Sequence, residues 1–228
     1  MDQRAIANSP FPIPHSQKVL RLFARQSPTR VLGPGQRAVI WVQGCKFACP
    51  NCIVPESWDE SAGELVPVTE IADWILAQPN LEGITISGGE PLLQAEALAC
   101  LIDLVKSRAD LGVVCYTGYR WEYLLGQGTP KQKDLLKRVD LLIDGVYIEG
   151  QHGDLLWRGS TNQRLLPLSD RYRDLVKQKL ATEERSAGLE FFLEATGEIQ
   201  FVGVPKQPNF RPEFERRIAN RGVTLNQN

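Results

Sequence analysis

The chain has 228 residues, 43% apolar and 23% charged, a composition that suits a globular protein with its own core and excludes disorder along the whole chain. Its formal net charge of −1 gives no electrostatic footing for general nucleic-acid binding or for an anionic membrane surface. No run reaches the roughly 18 apolar residues of a membrane span, and the N-terminus lacks the continuous apolar stretch of a secretory leader, so the expected location is the cytoplasm.

Residues 1–36 read as an N-terminal extension. Pro10, Pro12 and Pro14 keep its start extended or irregular. The spacing of Val19, Leu22 and Phe23 predicts a short helix over residues 18–25, and Gly33-Pro34-Gly35 then breaks the chain. Residues 38–42 form a continuous apolar run, the pattern of a strand buried on both faces. A helix is expected from near Thr69, with Val68, Ile71, Ala72, Ile75 and Leu76 as its inner stripe. Residues 83–87 read as a strand, Leu98, Leu101, Ile102 and Val105 as the inner face of a helix, and residues 113–116 as a third strand. A helix over 131–138 and a strand over 140–144 complete the pattern. Strands alternating with helices predict a parallel sheet, whose site lies beyond the carboxyl ends of the strands.

Residues 146–168 read mostly as loop and contain Trp157-Arg158-Gly159-Ser160. For that segment a place near a ligand and a structural role, with Arg158 capping strand ends, are both open. Further on, residues 174–185 are expected to be helical. Residues 189–193 and 199–204 flank Ala195-Thr196-Gly197-Glu198 as a β-hairpin, and residues 211–220 form a closing helix. The predicted units are therefore an extension over 1–36, a core over 37–168 and an appendage over 169–228.

Two motifs carry chemistry. Of the five cysteines, three crowd into Cys45-x3-Cys49-x2-Cys52, which in a cytoplasmic chain points to metal or redox chemistry rather than disulfides. Three thiolates on a short loop can each hold one iron of a cubane cluster and leave the fourth iron open to a small molecule. A zinc site is the alternative, and would need a fourth ligand from Cys100, Cys115, His15 or His152. Cys100 and Cys115 themselves read as core residues. The second motif is Ser87-Gly88-Gly89-Glu90-Pro91. Its glycines let a ligand approach the backbone, and its carboxylate can accept hydrogen bonds from an ammonium. Taken alone, it also fits a plain βα turn with a solvated Glu.

Together, in this order, the two motifs resemble those of the radical S-adenosylmethionine superfamily. Within it the chain is most similar to the activating proteins of anaerobic ribonucleoside-triphosphate reductase. The matching segments run from Trp41-Val42-Gln43-Gly44-Cys45 through Tyr116-Thr117-Gly118-Tyr119 and residues 140–145 to Trp157-Arg158-Gly159-Ser160 with Asn162-Gln163. The resemblance implies an α/β fold, a partial (β/α)6 TIM-like barrel with an N-terminal extension and a C-terminal β-hairpin and helix appendage. It implies a 4Fe–4S cluster on Cys45, Cys49 and Cys52, with S-adenosylmethionine as cosubstrate. Gly88, Gly89, Glu90 and Pro91 would form its methionine-binding turn, Asn51 would sit near the adenine, and Tyr116 and Thr117 would line the cofactor. Most of the superfamily has an aromatic residue where this chain has Asn51; the reductase-activating branch also lacks it.

The implied reaction is reductive cleavage to a 5′-deoxyadenosyl radical, with no catalytic residues beyond the cofactor ligands. The implied partners are a glycyl-radical enzyme as protein substrate and a flavodoxin or ferredoxin as electron donor. Two other readings stay open: a radical enzyme acting on another peptide or small molecule, and a non-catalytic iron–sulfur or zinc protein. The Gly-Gly-Glu-Pro turn speaks against the latter.

Overall fold

In the computed structural model, residues 18–182, 184–193 and 199–220 are described; the three N-terminal prolines, His15 and the predicted turn at 195–198 lie outside them. Elements follow in chain order: β1 (Val19–Thr29), β2 (Arg37–Val42), β3 (Glu64–Pro67), α1 (Val68–Leu76), β4 (Gly83–Gly88), α2 (Ala95–Lys106) and β5 (Gly112–Thr117). Then come α3 (Trp121–Gln127), α4 (Pro130–Leu136), β6 (Leu141–Asp144), β7 (His152–Leu155), β8 (Arg158–Ser160) and β9 (Arg164–Pro167). The chain closes with α5 (Arg173–Ala181), β10 (Leu189–Leu193), β11 (Ile199–Gly203) and α6 (Phe210–Ala219).

Seven strands form one mixed sheet in the order β3-β1-β2-β4-β5-β6-β9. Its centre, β2-β4-β5-β6, is parallel, as the strand–helix alternation demands. The flanking pairs β1/β2, β1/β3 and β6/β9 are antiparallel. The fold is thus α/β, with four parallel strands where the barrel expectation had six. The reason lies after β6, where the chain makes no helical crossover. The segment 146–168, expected to be loop, folds into the small β7/β8 pair and returns antiparallel as β9.

The apolar strand runs divide between two faces. Ala38, Ile40 and Val42 of β2 join Ile84, Ile86, Val113 and the inner stripes of α1, α2 and α4 in the main core. Val39 and Trp41 point the other way, into a second cluster with Val31, Leu32 and Val202. The strand β1 corrects the helix expected at 18–25. Leu20 and Leu22 are buried while Val19 is 47% exposed, a period of 2 that three apolar residues spaced for a helix had masked. A bulge between Leu22 and Ala24 then turns both Phe23 and Ala24 toward the second cluster.

One charge is sealed beneath the parallel strands. Arg37, at the start of β2, is 0% exposed. Its guanidinium donates to Thr85 Oγ1 (2.7 Å) and to the carbonyls of Pro34 (2.7 Å), Ile84 (2.5 Å) and Gly112 (2.8 Å), and to the Tyr172 hydroxyl (3.1 Å). All five of its N–H groups are thereby used. Among the described residues no helix is long and apolar enough to cross a membrane.

Candidate functional site

The cysteine loop leaves β2 at Gln43 and is closed at its base by backbone pairs. Gly44 N–H donates to Ser57 O (2.8 Å) and Cys45 N–H to Trp58 O (3.0 Å). The side chain of Gln43, 3% exposed, donates to the carbonyls of Glu56 and Asp59, both at 2.9 Å. Inside the loop Ala48 (φ 45°) and Asn51 (φ 54°) are left-handed. That conformation costs a non-glycine residue roughly 1–2 kcal/mol and persists where its surroundings over-determine it. These two reversals and the Cys52 N–H to Cys49 O bond (3.1 Å) bring all three cysteines to the wall of one cavity.

The turn after β4 locks onto the same loop. Gly89 N–H donates to Val42 O and Glu90 N–H to Gly44 O, both at 2.8 Å. A Cβ on Gly88 (φ +101°) would lie 2.5 Å from backbone atoms of Val42, and one on Gly89 would collide with the Gly44 carbonyl. The sequence offers ligand approach as the reason for these glycines; the structure gives a nearer one, the contact between the two motif-bearing segments themselves. Pro91 is buried and opens a 3-10 turn over Pro91–Gln94. It is the one predicted site residue that does not line the cavity.

Glu90 is 1% exposed and is held from behind. Leu92 N–H (2.9 Å) and the Thr117 hydroxyl (2.8 Å) donate to Oε1, and Gly118 N–H (2.8 Å) donates to Oε2. Burial outweighs these bonds and pushes the carboxyl up from 4.5 to about 7. A cation seated beside it would reverse that shift. Thr117 therefore serves the site by orienting Glu90. Tyr116 also lines the cavity, while its hydroxyl donates to Trp157 O (2.9 Å). Asn51 lines it too and donates to Glu149 Oε1 (2.5 Å).

The cavity measures about 300 Å³, and its walls include Cys45, Cys49, Asn51, Cys52, Ser87, Gly88, Gly89, Glu90, Tyr116 and Thr117. That is room for one small ligand. All five cysteines are free thiols. Burial is the main cause pushing the Cys45 and Cys49 thiols up, and neighbouring thiols add to it. Such a donor set gains from iron, whose positive charge favours the thiolate. Among the described residues no three Cys, His, Asp or Glu side chains gather around one point for a lone metal ion. Three thiols on the wall of one cavity suit a cluster, in which each ligand takes its own iron. Cys100 and Cys115 are buried in the main core, as expected.

The Trp157–Ser160 segment, left open by the sequence, meets both descriptions: Gly159 lines the cavity, while Arg158 and the neighbouring Asn162 and Gln163 tie the segment to the chain after β6. Gln163 Nε2 donates to Gly145 O (2.9 Å) and Asn162 Nδ2 to Val146 O (2.8 Å). Arg158 Nη1 caps Gln163 O (3.0 Å) and Arg120 Nη1 donates to Asn162 O (2.6 Å). Asp144, fully buried at the end of β6, accepts from Arg164 Nε (2.9 Å) and Trp121 N–H (2.8 Å) and is ion-paired with Arg164 Nη2.

Sequence reasoning missed several wall residues and considered His152 only as a possible zinc ligand. Tyr147 and His152 line the cavity, with 3.1 Å between the Tyr147 hydroxyl and His152 Nδ1. His152 Nε2 is buried without a partner. Phe23, Phe201, Val202 and Arg211 also contribute from segments placed outside the core. No motif marks any of them; the aromatic residues at 191, 201, 210 and 214 are a signal that could have pointed to a packed C-terminal segment.

A family model described as "4Fe-4S single cluster domain" matches residues 31–166. The "Anaerobic ribonucleoside-triphosphate reductase-activating protein" of Enterobacteria phage T4 is 34% identical over 145 residues, 61% of this chain and 89% of the relative. The protein of the same name from Haemophilus influenzae is 37% identical over 150 residues, 62% of this chain and 94% of the relative. Among solved structures, QueE from Escherichia coli aligns over 91% of this chain and 92% of its own at 15% identity and a TM-score of 0.41, a likeness too remote to bear on function.

Proposed function

Because the chain belongs to the family of anaerobic ribonucleoside-triphosphate reductase-activating proteins and carries its 4Fe-4S single cluster domain, we propose that it cleaves S-adenosylmethionine reductively and transfers the radical to a glycine of a partner enzyme. One observation carries the reading: the three-cysteine loop and Glu90 are joined by the Gly89–Val42 and Glu90–Gly44 bonds and line one cavity.

Cys45, Cys49 and Cys52 would hold the cluster. Held there, a cluster would supply the one electron needed for reductive cleavage of the S–C5′ bond of S-adenosylmethionine to methionine and a 5′-deoxyadenosyl radical, the species that would abstract hydrogen. Glu90, backed by three donors, would accept the methionine ammonium and take the carboxylate form as it does so. Gly88 and Gly89 keep that turn flush with the loop, Asn51 faces the adenine side, and Tyr116 and Thr117 flank the ligand. In this reading residues 37–168 are the catalytic core, its four parallel strands forming part of a barrel of the superfamily's kind, and 1–36 and 169–228 are additions to it. A flavodoxin or ferredoxin in the cytoplasm supplies the electron.

A second reading, with another peptide or a small molecule as hydrogen donor, is favoured by one feature. The cavity is also walled by residues 199–211, beyond the segment matched by the family model.

The test is anaerobic reconstitution with iron and sulfide, addition of dithionite and S-adenosylmethionine, and chromatography for 5′-deoxyadenosine. The wild type is expected to form it and Cys49→Ala to form none. Cluster-loaded wild type that forms none, even with a glycyl-radical partner present, would overturn the reaction class.

A further inference from the structure

The C-terminal segment reaches the cysteine loop through one side chain. Arg211 of α6, 18% exposed at its side chain, donates through Nη1 to Ile53 O (2.8 Å) and Glu56 Oε2 (2.9 Å), and Nη2 pairs with Glu56 Oε1. Glu215 Oε1 accepts from Nε (2.9 Å). Ile53 directly follows the third cysteine. Glu56 lies in the 3-10 turn Pro55–Ser57, and the next residue, Ser57, accepts the Gly44 N–H at the start of the loop. A single guanidinium thus grips the returning arm of the loop beside Cys52 and beside the bond that closes its base.

The platform behind Arg211 is held together by aromatic contacts. Phe210 stacks on Phe214 (centroids 5.4 Å) and meets Phe201 edge-on (5.3 Å), while Phe191 lies 5.3 Å from Phe214. These contacts brace α6 on the β10/β11 hairpin. Val202 of β11, 4% exposed, is embedded with Val31, Leu32, Val39 and Trp41, which anchors the hairpin to the sheet face opposite α1 and α2. The charge of Arg211 is matched by Glu56 and Glu215, so among the described residues of this wall it is not left unpaired toward a sulfonium ligand.

We propose that Arg211 is a positioning residue for the cluster loop, and that the hairpin and α6 form a second wall of the cofactor cavity built to hold it there. This deepens the reading of residues 45–52 as the cluster loop and rests on it. Amide exchange in the cofactor-free full-length chain probes Arg211 whether or not that reading holds, so the two can fail separately.

Hydrogen–deuterium exchange is measured over residues 53–58 in wild type, Arg211→Ala, Arg211→Lys and Glu56→Gln. The last spares α6 should the first two fold poorly. Each variant is expected to speed exchange there about tenfold, with peptides of β4 and β5 unchanged, because a lysine cannot reproduce the forked contact. In reconstituted, dithionite-reduced protein the electron paramagnetic resonance spectrum is followed as S-adenosylmethionine is added. The concentration for half-maximal change is expected to rise about tenfold in Arg211→Ala, as for other residues that orient cluster ligands. Wild-type exchange over 53–58, or an unaltered response to S-adenosylmethionine, would overturn the proposal and leave the C-terminal segment as a surface addition.

Discussion

Glu90→Gln tests the cavity's electrostatics without touching a cysteine. Glu90 is 1% exposed, and burial lifts its carboxyl from 4.5 to about 7. A raised carboxyl favours the folded state while it stays protonated. Its contribution is therefore complete below pH 4.5 and is lost as the pH rises through 7. The displacement from 4.5 to about 7 corresponds to about 3 kcal/mol. Urea unfolding of the cofactor-free protein should accordingly show wild type losing about 3 kcal/mol relative to Glu90→Gln between pH 4.5 and 8. Gln adds its own offset, because its amide nitrogen must face one of the donors on Leu92, Thr117 or Gly118. That offset is about 1–3 kcal/mol and does not vary with pH. Parallel pH profiles for the two proteins would refute the claim that this carboxylate is buried without a compensating cation. The same logic predicts that S-adenosylmethionine releases protons on binding to reconstituted wild type near pH 6.5 and releases fewer on binding to Glu90→Gln, which calorimetry in buffers of different ionisation enthalpy would read.

Two further outcomes follow from contacts around the cavity. Arg164→Ala strands the fully buried Asp144 carboxylate and frees Glu122, which the same guanidinium holds at 2.8 and 2.9 Å. It should cost about 3 kcal/mol in chemical denaturation, and a loss below 1 kcal/mol would show that Asp144 finds another partner. Gly89→Ala drives a methyl into the Gly44 carbonyl, so the chain should fold with a near-native circular dichroism spectrum yet retain little iron after reconstitution. Full iron loading would show that the lock between turn and loop is dispensable.

The parallel centre of the sheet was legible because its signals are redundant. Strands β2, β4, β5 and β6 are apolar on both faces, each ends in a polar or glycine-rich segment, and α1 and α2 carry clean inner stripes. The cysteine and Gly-Gly-Glu motifs were legible because their spacing is rare. Other features depend on distance in space rather than along the chain. The strand β1 looks helical until its partners β2 and β3 are known. The purpose of Gly88 and Gly89 shows only once the Val42 and Gly44 backbones lie against them. Arg211 contacts Ile53 and Glu56 across more than 150 residues of chain, and nothing around position 211 announces it.

The sealed Arg37 has a consequence for how this scaffold can change. One guanidinium ties the β1–β2 connection to the start of β4 and, through Gly112, to the start of β5. Strand order is thereby secured at the end of the sheet remote from the chemistry, by a side chain that never meets a ligand. The opposite rim, where the β7/β8 pair stands, is free to vary in length and content without endangering the register below. A chain secured in this way can acquire new walls around an old cofactor cavity while its foundation stays the same.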